Sequence, residues 1–214
     1  MALAFGTLTA GGSVVTAPYF RTPRLDIRPF TSFDVAPFTA YRSDPQVARY
    51  QSWSNFDLEQ GLELVDQMRD LELGSPGSWY QLALEDRARR LLVGDLACKV
   101  DACEHREMEI GFTIAPDEQR RGYAREAVEG LLHHAFTAMG MHRVTAVTDE
   151  RNTASAGLLT RVGMRREGHL IENVFFKGAW GSEFLFAKLA REHDSRPAHP
   201  YPRRHTAPTQ ADES

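Results

Sequence analysis

Ala115-Pro116-Asp117-Glu118-Gln119-Arg120-Arg121-Gly122-Tyr123-Ala124 separates a strand-like run from a helix with an unusually regular apolar face. That face is Ala124, Ala127, Val128, Leu131, Leu132, Ala135, Phe136 and Met139, an i, i+3, i+4 series. A helix that buries such a stripe leaves its first amides unpaired, and they point out of the loop with partial positive charge. Gly122 lets the backbone turn tightly, Ala124 keeps the approach open, and Arg120 and Arg121 add full charges. The segment therefore reads as an anion site suited to a pyrophosphate. Taken alone, it reads equally well as a charged solvent turn capping a core helix.

Upstream, Arg24-Leu25-Asp26-Ile27-Arg28-Pro29-Phe30 alternates apolar and polar residues as a half-buried strand does. Residues 34 to 50 read as a short helix and a turn at Asp44-Pro45, and a second helix starts at the N-cap Asp57 and ends before Gly74. Trp79 to Leu84, Leu91 to Val100 and Glu107 to Ile114 form an antiparallel meander. The long helix from Tyr123 to Met139 follows, then a strand at Arg143 to Thr148, a short helix from Thr153 to Arg161, and strands at 169 to 176 and 183 to 189. The span from 107 to 148 is long enough for a parallel crossover, so the sheet is expected to be mixed. The fold class is α/β (α+β), with about seven strands and about four helices, from the count of these patterns.

Composition narrows the class. The chain has 214 residues, 42% hydrophobic and 25% charged, enough for one ordinary globular core. The balance of 25 basic against 29 acidic residues gives −4, which removes the basic footprint of a nucleic-acid binder. Arg203 and Arg204 do not restore it. Cys98 and Cys103 lack the spacing of a disulfide framework or zinc site, and His105 adds no second ligand cluster, so no metal is expected. Residues 1–21 carry no charge before Arg21 and read as a flexible extension, not a signal peptide. No run reaches about eighteen apolar residues, so no membrane span is expected and the location is read as cytoplasmic. Residues 22–190 form the folded domain, and the Pro-rich 191–214 is expected to be a disordered tail.

The pattern Gln119-x-x-Gly122-x-Ala124, set between a strand and an amphipathic helix, resembles the acyl-CoA motif of the GNAT superfamily of N-acyltransferases. Within it, four local matches resemble the ribosomal-protein N-terminal acetyltransferase-like (RimJ/RimL) branch. They are Arg24 to Phe30, Glu109-Ile110-Gly111-Phe112, Asn152-Thr153-Ala154-Ser155, and Gly163-Met164 with Glu167-Gly168. The resemblance covers about residues 22 to 190. It implies a centrally splayed GNAT-type sheet and acetyl-CoA as cosubstrate. The pyrophosphate would lie on the amides of Gln119, Arg120, Arg121, Gly122, Tyr123 and Ala124, and the pantetheine along Phe112, Thr113 and Ile114 at an open strand edge. It also implies an amine acceptor, either a small molecule or a protein N-terminus, with a homodimer as the candidate assembly.

Acyl transfer to an amine needs a neutral amine, a stabilised oxyanion and a proton for the leaving thiolate. Strand alternation puts Glu107, Glu109, Gly111 and Thr113 on one face, opposite Met108, Ile110, Phe112 and Ile114. Glu109 is the first candidate for the general base, acting through water, and an exposed strand glutamate is the plainer account of it. Glu172 is its rival, two residues before the Val174 that holds the position used by some members of the branch. Many superfamily members use a tyrosine seven residues after the asparagine of the short helix, and Leu159 stands there instead. The branch points to Ser155 as general acid and pantetheine contact, and to Asn152 as a pantetheine contact or helix cap. The Phe112 amide is the candidate oxyanion donor, and Trp53 a candidate wall of the acceptor cleft, which the branch builds from Asp44 to Phe56. His133 and His134 lie off the apolar stripe and are expected at the surface. A second function class, an acyl-CoA-binding regulatory module without turnover, follows from the missing tyrosine and the displaced glutamate. An acidic slot beside Glu109 would suit a polyamine, and an open groove a peptide.

Overall fold

The computed structural model describes residues 17–194. They form one eight-stranded sheet in the order β1-β2-β3-β4-β5-β6-β8-β7. Strands β2 (Leu25–Arg28), β3 (Trp79–Asp86), β4 (Leu91–Val100) and β5 (Glu107–Ile114) run antiparallel as the expected meander. Strand β6 (Arg143–Asp149) lies parallel to β5, and β8 (Ala179–Leu189) and β7 (Arg165–Phe176) complete the sheet antiparallel.

Six helices surround it among the described residues: α1 (Val35–Arg42), α2 (Pro45–Ala48), α3 (Leu58–Gln67), α4 (Tyr123–Thr137), α5 (Thr153–Arg161) and α6 (Ala190–Asp194). Asp57 caps α3 as expected, accepting the Gln60 N–H at 2.9 Å while Gln60 returns a bond to the Asp57 N–H. Asp44 caps α2 by accepting the Gln46 N–H at 2.7 Å, which divides the expected 34 to 50 segment into two helices at the Asp44-Pro45 turn.

Adjacent residues of β3 show how the two faces are used. Leu82 packs into a core cluster with Val128, Leu131 and Leu132 of α4, whereas Ala83 packs into a second cluster with Val35 and Phe38 of α1 and Val65 of α3. Neighbours on a strand point to opposite faces, so α4 covers one side of the sheet and α1 with α3 the other. The first full strand is consequently not half-exposed: Asp26 is buried and pairs with Arg21, and Arg28 bridges Asp34 and Glu85.

The strand count rises from about seven to eight because Phe20–Arg21 forms β1, pairing Phe20 with Ile27 and Arg21 with Asp26. The folded unit thus begins inside the expected 1–21 extension and continues through α6 beyond residue 190, while residues 1–16 and 195–214 lie outside the described residues. Strands β7 and β8 begin earlier than expected. The Lys177-Gly178 pair is a two-residue hairpin turn with φ of 53° and 79°, the left-handed geometry that matches strand twist, so Ala179 already pairs with Phe176.

Candidate active site

Strands β5 and β6 pair only at Glu107 with Arg143, Met108 with Val144 and Glu109 with Thr145. Beyond that point β5 stays bonded to β4 as far as Ile114, and β6 to β8 as far as Asp149. The sheet therefore forks, and the β5 edge from Ile110 to Ile114 has no ladder partner on the β6 side. Phe112, Thr113 and Ile114 all lie on this edge. The Thr113 hydroxyl accepts from Gln51 Nε2 at 3.3 Å, and Ile114 buries its side chain in the core.

The chain leaves the fork through a single 3-10 turn (Pro116–Glu118) and reaches α4 by two left-handed residues, Arg120 at φ 61° and Gly122 at φ 84°. Gly122 is the N-cap and provides no side-chain bond. The N–H groups from Arg120 to Arg125 meet no acceptor among the described residues, whereas Glu126 N–H begins the helical pattern on the Gly122 carbonyl at 3.1 Å. This is the donor array that an anion needs.

Gln119 departs from its expected part. Its N–H bonds to the Pro116 carbonyl at 3.2 Å and its Nε2 to the Ile114 carbonyl at 3.1 Å, so it holds the turn and leaves the donor array to start at Arg120. Tyr123 keeps its N–H free as the amide reading requires, while the residue itself is only 5% exposed. Its hydroxyl donates to Asp86 Oδ2 at 2.5 Å and accepts from Arg89 at 3.1 Å, leaving only its main-chain N–H for a ligand. Arg89 in turn grips Glu118 through two bonds of 2.9 and 2.6 Å. The Tyr123 hydroxyl, with help from Arg89, holds the Asp86 carboxyl down at about 2.

A second brace comes from the start of β2. Glu126 accepts from the Arg24 N–H at 2.7 Å, from Arg24 Nε at 2.6 Å and from the Thr22 hydroxyl at 2.5 Å. Arg24 also donates to the Arg121 carbonyl at 2.9 Å and lies 4.4 Å over the Tyr123 ring. Such pairs span about a hundred positions of sequence, so no local pattern announces them.

Glu109 stands at the crotch of the fork, in the last β5–β6 pair. It shares its face with Thr113, on the α1 side of the sheet, and forms an ion pair with Lys99 at 3.5 Å, each side chain 34% exposed. Two residues before Val174, Glu172 would share its face in a regular strand, but β7 is irregular there. Between Leu170, opposite Glu183, and Val174, opposite Gly181, β7 carries extra residues, so strand alternation fails there. Glu172 sits in that bulge at φ 45°, exposed, with its N–H on Ser182 Oγ at 3.0 Å.

Asn152 caps α5, its Oδ1 accepting the Ser155 N–H at 3.1 Å, and Ser155 is half-buried beside it. Leu159, where the family tyrosine is absent, is 1% exposed and forms part of the core. His133 and His134 are half-buried, not at the surface as expected: His134 stacks on Phe20 at 4.7 Å, and His133 meets His193 of α6 at 3.2 Å. Trp53 packs over the Arg42 guanidinium at 4.1 Å.

A second tryptophan, Trp180, lines with Arg49, Tyr50, Arg151, Phe176 and Lys177 a cavity of about 170 Å³. These residues come from the end of α2, the β6–α5 turn and the β7–β8 hairpin. Lys177 Nζ donates to the Ala48 carbonyl, which fastens the hairpin tip over α2, and burial lowers the lysine pKa. The Gly178 turn between Phe176 and Ala179 was the available sequence signal for this hairpin. Nothing local in the sequence links its tip to residues 48 and 151.

Comparison with known proteins identifies the family and agrees with the fold. The model of the acetyltransferase (GNAT) domain matches residues 24–165. An uncharacterized N-acetyltransferase of Bacillus subtilis (strain 168), YoaA, is 30% identical over 162 residues, covering 75% of this chain and 90% of its own. The crystal structure of a GNAT-family acetyltransferase from Bacillus anthracis superposes with a TM-score of 0.73 at 27% identity, covering 80% of this chain and 98% of that one. A spermidine N-acetyltransferase from Vibrio cholerae, in complex with CoA and spermine, shares the fold with a TM-score of 0.69 at 21% identity over 79% of this chain and 98% of its own.

Proposed function

Because the chain belongs to the GNAT acetyltransferase family, we propose that it transfers an acetyl group from acetyl-CoA to a primary amine in the cytoplasm, as a RimJ/RimL-like member. The observation that carries this reading is the fork: an unpaired β5 edge leads within a few residues into the donor array at the start of α4. Arg120, Arg121 and the N–H groups from Arg120 to Arg125 would hold the pyrophosphate, and the edge from Ile110 to Ile114 would pair with the amides of the pantetheine. Bound there, acetyl-CoA supplies a thioester-activated acetyl group.

Glu109 is the better supported base. It lies where the fork opens, whereas Glu172 sits on an exposed bulge of the edge strand. A carboxylate in that place attracts the ammonium form of the acceptor and removes its proton through water. The Phe112 N–H is the candidate donor to the developing oxyanion. Ser155, positioned by the Asn152 cap, is the candidate to hold a proton for the departing sulfur.

The buried Leu159 favours a second reading, an acyl-CoA-binding regulatory module without turnover. Thiol release measured with a panel of small amines and peptides separates the two. Release of CoA above the hydrolytic background for any acceptor supports the transferase, and tight acetyl-CoA binding with no release across the panel supports the module.

A further inference from the structure

The cavity between α2, the β6–α5 turn and the β7–β8 hairpin has a charge that the reaction alone does not require. Arg49, Arg151 and Lys177 line it, and no carboxylate does. Asp149 offsets one of these cations, binding Arg151 at 2.9 and 2.5 Å. Arg49 lies 5.1 Å over the Tyr50 ring and has no ion pair among the described residues. Lys177 rests on a neutral carbonyl. Asp149 also attracts Arg49 at longer range, so the lining keeps Arg49 and Lys177 without a direct ion pair, beside an aromatic wall of Tyr50, Phe176 and Trp180.

The position ties this cavity to the reacting centre. Gln51, next to Tyr50, bonds Thr113 on the open edge of β5, and Asn152, next to Arg151, caps α5. The lining therefore stands one residue away in the chain from a side-chain contact to β5 and from the cap of the helix that follows β6. A polyamine would bring further ammonium groups against Arg49 and Lys177, and like charges at such range repel. A carboxylate would find the fork geometry of guanidinium donors that binds it best.

We propose that this cavity selects a primary amine that also carries a carboxylate beside an apolar or aromatic group, a substrate of the free amino-acid class, and discriminates against polyamines. The proposal rests on the acetyltransferase reading for its chemistry, but the cavity can be tested apart from turnover.

The first experiment compares kcat/KM for the common free amino acids, their C-terminal amides and spermidine, in the wild type and in Arg49→Gln, Arg49→Glu and Lys177→Gln. The best free acid should exceed its own amide by about 10- to 100-fold, the scale of one charge-assisted hydrogen bond. Arg49→Gln and Lys177→Gln should shrink that ratio, and Arg49→Glu should raise turnover of spermidine relative to the acid. Amides or spermidine equal to or better than every acid in the wild type would overturn the proposal, as would an unchanged ratio in both neutral variants.

The second experiment, calorimetric titration with N-acetylated amino acids and their amides in the presence of CoA, needs no turnover. Binding of the acid forms that weakens in Arg49→Gln supports the cavity assignment even if no amine is acetylated, an outcome that would remove the transferase reading alone. Absence of any preference for the acid form overturns the cavity assignment even if some other amine is acetylated.

Discussion

Arg24, one residue before β2, and Glu126, in the first turn of α4, are joined by a 2.6 Å ion pair, with a second bond of 2.7 Å from the Arg24 N–H to the same carboxylate. Glu126 is the point at which the first strand of the domain and the anion loop become one rigid piece. Glu126→Ala would leave the Thr22 hydroxyl, the Arg24 amide and the Arg24 guanidinium without their acceptor. The expected cost is about 2 kcal/mol of stability, the range for bonds to a charged group. A weakening of acetyl-CoA binding should accompany it. Thermal denaturation and calorimetric titration of the same variant check both parts.

Gly122 at φ 84° makes the second prediction. A Cβ there would meet Arg24 Nη2 at 3.4 Å, an ordinary contact, so space is not the constraint. The left-handed backbone is, and Gly122→Ala should cost about 1 to 2 kcal/mol of stability. Gly122→Asp adds a negative charge at the proposed pyrophosphate position and should abolish measurable acetyl-CoA binding. Unchanged affinity in Gly122→Asp would refute the placement of the donor site.

Glu109 and Glu172 make competing demands on kinetics. Glu109→Gln should lower kcat about 100-fold while leaving the KM for acetyl-CoA unaltered. Glu172→Gln should change kcat by less than about threefold. The reverse pattern would move the base to the β7 bulge. Ser155→Ala tests the acid: a loss that shrinks when the thiol leaving group is made more acidic identifies proton delivery, and a uniform loss identifies packing.

Asp86 makes an acid-stability prediction. Its folded pKa of about 2 lies below the ordinary 3.8, chiefly through the Tyr123 hydroxyl. A depressed carboxylate contributes stability that is fully present above its unfolded pKa and lost as the pH falls through the folded value. That contribution should decline between about pH 4 and pH 2. Tyr123→Phe removes the principal donor, raises the Asp86 pKa and should move the acid-unfolding midpoint to higher pH, as followed by far-ultraviolet circular dichroism.

The backbone of the proposed donor half was legible in the sequence, and the cavity proposed for the acceptor was not. Gly122 and the stripe from Ala124 to Phe136 are local signals, and both appear in the structure as an N-cap and a buried helix face. The capping residues Asp57 and Asn152 were equally local. The bracing part of the Tyr123 side chain was not legible, because its partners, Asp86 and Arg89, come from the distant end of β3 and the β3–β4 turn. Glu172 misled because strand alternation holds only where the register is regular, and a bulge carries no sequence signature here. Arg49, Arg151 and Lys177 come from three segments separated by tens of residues or more, and only the packed hairpin gathers them.

The three-pair β5–β6 ladder has a mechanical consequence. Main-chain bonding across it is far shorter than the ladders on either side, so the sheet has a seam along which five strands could part from the other three. A cosubstrate lying in the fork would bond across that seam like an inserted ninth strand. Acetyl-CoA should then slow hydrogen exchange on both sides of the opening, from Ile110 to Ile114 and from Ala146 to Asp149, and convert two loosely coupled halves into one cooperative unit. The thioester donor would be a structural member of the protein for as long as it remains bound, and release of CoA after each turnover would reopen the seam.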